Sequence, residues 1–155
     1  MLTLTVDKSQ IKNMMGILLK GGAFDALELR KAVVRSFADV VFEGEIFGEP
    51  DEMGVRPALP IALWRDVRPH IFGIVKAGAT PRALKLVLAF PKDMVSGLNE
   101  SVSSVFLNIS FEGGAARITV GHSSAAFTLD KTIDTQIAAF AEEFIAGTGI
   151  VCSRA

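Results

Sequence analysis

Apolar residues recur along the chain in two rhythms. Over residues 1–6, Leu2, Leu4 and Val6 alternate with Thr3 and Thr5, which predicts a short strand. Asp7 stands three residues before Gln10, the spacing of a capping box with Asp in place of Ser or Thr. Ile11, Met14, Met15 and Leu18 follow at i, i+3, i+4 and i+7, one face of a helix. The methionine pair on that face reads as core filler. Gly21 and Gly22 are expected to stop the helix by taking the left-handed conformation.

From Leu27 to Phe47 the rhythm turns β, with charges interleaved among Leu27, Leu29, Val33, Val34, Phe37, Val40, Val41, Phe42, Ile46 and Phe47. Two strands, roughly 26–36 and 38–47, are expected, with a helix over 27–37 as the competing reading. Residues 48–60 hold Pro50, Pro57, Pro60, Gly48 and Gly54 without any sustained period, and read as a loop. Asp66 is expected to cap a second helix with Pro69 in its first turn and a stripe of Val67, Ile71, Ile74 and Val75; Gly78 and Pro81 end it. A strand over 83–90, a short helix near 91–97 and a strand over 105–111 come next. Glu112-Gly113-Gly114 is a hairpin turn, 117–120 the returning strand and 126–129 another short strand. Asp130 is placed to cap a last helix carrying Ile133, Ile137, Phe140, Phe144 and Ile145, with Gly147 as its stop. Hairpin-joined strands without regular βα alternation predict one α+β domain over 1–155. Its sheet is mainly antiparallel, of about six strands, with three main helices packed on it.

Composition narrows the function classes. Half of the 155 residues are hydrophobic, mean hydropathy is +0.40, and 16 Lys and Arg oppose 17 Asp and Glu. Such a chain is too apolar and too evenly charged to be disordered, and bulk charge gives it no hold on nucleic acid. One cysteine, Cys152, excludes a disulfide scaffold and a cysteine-rich zinc module. No run of ~18 apolar residues predicts a membrane span. Residues 1–7 lack the basic and apolar regions of a secretory signal, so the cytoplasm is the expected location. Tyrosine is absent and there are eleven Phe, side chains suited to a dry core or a dry subunit contact.

Four stretches are similar to a family of small, uncharacterised bacterial proteins. They are Leu63-Trp64-Arg65-Asp66-Val67-Arg68-Pro69, Lys76 with Thr80-Pro81, Phe106-Leu107-Asn108-Ile109 with Gly113-Gly114, and Thr128-Leu129-Asp130-Lys131. The resemblance runs from the first helix to the last and departs around residues 48–60. It implies a fold and a bacterial, cytoplasmic setting, and it carries over no catalytic residue.

Residues that carry chemistry are sparse. Gly121-His122-Ser123-Ser124-Ala125 imitates a nucleophile elbow, but a strand is expected after it and no His follows His122, so it reads as a polar turn. Two His 52 positions apart and one Cys supply no metal-ligand spacing, and the acids Glu43, Glu45, Glu49, Asp51 and Glu52 lack the pattern of a calcium loop. Neither cofactor nor metal is implied. Charge is nevertheless uneven. Residues 39–52 hold six acids and no base. The 56–92 stretch holds seven bases, with Asp66 inside it and Asp93 just beyond as the acids.

Within that basic stretch Trp64, Arg65, Arg68 and His70 gather at the start of the second helix. A helix N-terminus, two guanidinium forks and a stacking ring are the parts of a small-anion or phosphate site. The plainer reading makes Trp64 a plug into the core, and pairs Arg65 and Arg68 with the acidic stretch or leaves them in water; the weight falls there. The expected function is therefore a non-enzymatic binding or interaction module, its partner a second copy or another protein. The alternative is a small enzyme or ligand-binding protein with the anion site. Nucleic acid and membrane are disfavoured as partners.

Overall fold

The sheet grows outward from one hairpin. In the computed structural model, which describes residues 2–77, 81–124 and 131–155, β5 (Val102–Glu112) and β6 (Ala115–Ser124) pair over nearly their whole lengths. Gly113 and Gly114 close the turn at φ 61° and 76°, a conformation open to glycine at both positions. The pattern predicted a strand over 105–111 and a return over 117–120. Both strands run further, and residues 121–124 belong to β6 rather than to a turn.

β1 (Leu2–Val6) pairs with β6, and the two-residue β7 (Ser153–Arg154) pairs with β1. On the other side β4 (Ala83–Ala89) joins β5, β2 (Glu28–Arg35) joins β4, and β3 (Asp39–Glu43) lies outermost. The order β3-β2-β4-β5-β6-β1-β7 is antiparallel throughout. Seven strands thus stand where about six were expected, and the helical alternative for 27–37 does not occur. The strand expected over 126–129, the Asp130 cap and the Gly78 stop lie outside the described residues.

One face of the sheet is apolar by alternation. Leu84, Leu86 and Leu88 of β4, Leu107 and Ile109 of β5, and Ile118 and Val120 of β6 are all buried. Against it pack α1 (Ile11–Leu19), α2 (Trp64–Ala77) and α4 (Thr132–Thr148); α3 (Lys92–Val95) is a single turn between β4 and β5. Phe24, Phe90, Phe140 and Phe144 meet edge to face with centroids 4.9–5.6 Å apart, so these four Phe belong to the core.

Helix ends differ from expectation in instructive ways. Asp7 accepts the Ser9 N–H and caps a single 3-10 turn, Lys8–Gln10, which leads into α1. Neither Gly21 nor Gly22 has positive φ. Gly21 is required instead by closeness, because a Cβ there would sit 2.9 Å from the Ile17 carbonyl oxygen. α2 begins at Trp64, two residues before the expected cap, so Pro69 lies inside it. α4 runs through Gly147, and Gly149, at φ 89°, is its left-handed stop.

A bulge in β2 shapes the sheet's outer end. Pairing with β4 slips between Leu29 and Lys31, so Leu29, Ala32 and Val34 all face the core despite uneven spacing. Opposite the bulge, Gly44 brings its N–H to the Arg30 carbonyl, and a Cβ at Gly44 would lie 1.5 Å from the Leu29 oxygen. Only glycine fits where β3 leaves the sheet.

Candidate interaction surface

The cluster singled out at the start of α2 is divided by the fold. Trp64 is fully buried, and its Nε1 donates to the Leu18 carbonyl at 2.9 Å. Leu18 lies in the last turn of α1, where carbonyls lack intrahelical donors, so the indole from α2 caps α1 from the side. Arg68 lies across the same helix end. Its Nε and Nη2 donate to the two Asp25 carboxylate oxygens at 2.6 and 3.0 Å, and Nη1 reaches the Leu19 and Lys20 carbonyls at 3.5 Å. The hydrogen bond from Arg68 is the main reason that the Asp25 carboxyl titrates below its ordinary value. Arg65 and His70 are exposed. An anion arriving here would compete with Asp25 for Arg68 and find the Trp64 ring facing the core.

Arg68 therefore pairs with Asp25, not with the acidic stretch. That stretch is met from β2: Arg35 lies 3.8 Å from Asp39, Lys31 3.7 Å from Glu43, and Arg30 3.6 Å from Glu45. These are solvent-facing pairs, worth ~0–1 kcal/mol each.

Residues 44–63, read as a loop around 48–60, form an ordered arm. The Gly48 N–H donates to the Pro57 carbonyl at 2.7 Å, Leu59 N–H to Ile46 at 2.9 Å, and Phe47 bridges Ala58. At the tip the Asp51 carboxylate accepts the Met53 and Val55 N–H groups at 2.9 and 2.8 Å, and Gly54 turns at φ 79°. The returning leg inserts beside the bulge: the Leu29 N–H donates to Ala62 and the Ala62 N–H to Gly44.

The arm is hydrogen-bonded but not covered. Among the described residues nine large hydrophobics are exposed, and seven lie between Phe37 and Leu59: Phe37, Val41, Ile46, Phe47, Met53, Val55 and Leu59. Phe37 and Met53 are 78% and 86% accessible, close to fully solvated. Five of them, Ile46, Phe47, Met53, Val55 and Leu59, lie on the arm, and such a group of exposed apolar side chains on one element marks a contact surface, whereas scattered ones would need no explanation. Among the described residues neighbouring β3 pairs only with β2, yet its free edge is guarded. Antiparallel pairing of two such edges about Val41 would set Asp39 against Glu43 of the other copy.

The remaining chemistry-bearing residues are placed as follows. Ser123 lies within antiparallel β6, not at a strand-to-helix turn, and its hydroxyl meets those of Ser103 (2.9 Å) and Ser104. His122 Nε2 is 3.8 Å from Asp134 beside a cavity of about 310 Å³ that also touches Val120, Ile137 and Arg154. Cys152 is half-buried, and burial followed by the nearby Glu142 raises its thiol pKa, which disfavours the nucleophilic thiolate. Cys152 directly precedes β7, whose Arg154 is ion-paired with Glu142.

The model of a family described as a family of unknown function (DUF5721) covers residues 17–152. No curated protein and no solved structure matches the chain. No helix among the described residues is long and apolar enough to cross a membrane.

Proposed function

The chain belongs to the DUF5721 family, and on that premise we propose that it is a non-enzymatic interaction module that associates with a second copy of itself through the arm. The observation that supports this reading is that five of the nine exposed large hydrophobics among the described residues, Ile46, Phe47, Met53, Val55 and Leu59, lie on the arm. Burying such side chains yields roughly 25 cal/mol per Å² of apolar surface. The arm's internal hydrogen bonds hold them in place before contact, so little ordering cost opposes association.

Light scattering after size exclusion, at micromolar protein, tests the proposal. Wild-type protein is expected to exceed the monomer mass of 16.6 kDa in a concentration-dependent way. The double variant Phe47→Glu, Met53→Glu is expected to run as a folded monomer, since both side chains are exposed. A wild type that stays monomeric, or a double variant that associates as before, contradicts the proposal.

A further inference from the structure

The arm needs a receptor, and the opposite end of the molecule offers one. A groove of about 640 Å³ opens between the start of α1, the end of α2 and the β5–β6 turn. It is lined by the partly or fully buried Ile11, Met15, Val75 and Phe111 and by the exposed Lys8 and Lys12. Both lysines are exposed and, among the described residues, neither has an ion-pair partner.

The arm has the complementary character. Its hydrophobics are Ile46, Phe47, Met53, Val55 and Leu59, and beside them stand Glu49 and Glu52, likewise exposed and without an ion-pair partner among the described residues. Arg56 is the arm's sole base, and its guanidinium is turned to the Gly48 and Phe47 carbonyls. An apolar, acid-bearing finger thus matches an apolar, lysine-bearing groove in both hydropathy and charge.

Among the described residues, nothing covers the arm or fills the groove within one chain. The arm is rooted beside Leu29 at the start of α2, and the groove lies near Val75, on the order of 16 Å further along that helix. Each leg of the arm, about six residues, reaches ~20 Å, enough to bridge to a neighbour.

We infer that the groove lined by Ile11, Met15, Val75 and Phe111 receives the arm of a second copy, and that two chains exchange arms about a twofold axis. The inference rests on the reading of the arm as a self-association surface. Reciprocal exchange makes the contact twice and closes the assembly, whereas one-way insertion would propagate into a ring or filament. Lys8 and Lys12 then face Glu49 and Glu52 of the partner copy, steering the finger into the groove.

Charge reversal by halves tests this. One variant carries Lys8→Glu and Lys12→Glu; the other carries Glu49→Lys and Glu52→Lys. All four positions are exposed, so circular dichroism is expected to show both variants folded. Each alone sets like charges together and is expected to weaken association roughly a hundredfold. Mixed one to one, arm and groove charges match again at both contacts, and association is expected to return. Lysine-reversed protein that associates normally while Phe47→Glu, Met53→Glu is monomeric overturns the groove and leaves the arm reading standing. Failure of the mixture to recover also overturns the groove. A wild type that is monomeric throughout overturns both.

Discussion

Replacing Trp64 with Phe puts the α1–α2 junction to a quantitative test. The indole is fully buried, and its N–H is the donor to the Leu18 carbonyl. Phe retains the aromatic body but lacks the donor and the second ring. An unsatisfied buried carbonyl costs ~1–3 kcal/mol, and the lost indole atoms leave a void costing ~1–2 kcal/mol more. The variant is therefore expected to be ~2–5 kcal/mol less stable, a large part of the ~5–15 kcal/mol typical of a domain. For a chain of this length that lowers Tm by roughly 5–15 °C. Far-UV circular dichroism during urea and thermal unfolding is the assay, since Trp64 is the single tryptophan and the variant has no indole signal. In wild-type protein the same indole should emit blue-shifted light and resist iodide quenching. A stability change below ~0.5 kcal/mol, or an exposed indole spectrum, would refute the reasoning.

Asp25→Asn should cost about 1–2 kcal/mol at neutral pH, because the Arg68 fork loses its charged acceptor. Asp25 is depressed in the folded state, so its stabilisation is present above the ordinary Asp pKa of about 3.9 and fades as pH falls through the folded value. Urea midpoints measured from pH 6 downward should fall less steeply for Asp25→Asn than for wild type; parallel profiles would argue against it. Gly44→Ala should disrupt the root of the arm, costing ~2 kcal/mol or more, because its Cβ would collide with the Leu29 carbonyl. Gly16→Ala, inside α1 with open space around it, should instead stabilise by ~0.5–1 kcal/mol. Similar denaturation midpoints for these two variants would contradict the account of the bulge.

How much of this was readable in the chain depended on how local each signal was. Val105, Leu107, Ile109 and Phe111 alternate because one face of β5 is buried and the other is not, so that strand was legible. β2 blurred because the bulge at Arg30 shifts the alternation by one residue, which no local pattern announces. β7 went unseen because Ser153 and Arg154 carry no apolar period; its pairing with β1 is set from the other end of the chain. Gly147 and Gly149 both suit a helix stop, and φ at 149 decides between them. Trp64 as a plug was legible from its size and place. The partner of Arg68 was not: Asp25 lies 43 residues away and outside the acidic stretch. The prolines and glycines of 48–60 concealed an ordered arm, because its hydrogen bonds run between residues several positions apart. The exposed Ile46, Phe47, Met53, Val55 and Leu59 were the available signal for a surface there.

Hydrogen exchange measured across a protein dilution series tests the self-association account most directly. The amides of Gly48, Asp51, Met53, Gly54, Val55, Leu59 and Ala62 are already hydrogen-bonded within the arm, so burial against another copy should slow their exchange further as concentration rises. The account predicts protection that grows with concentration in this segment and is lost in Phe47→Glu, Met53→Glu. Exchange there that is independent of concentration, while other regions gain protection or none does, would contradict it.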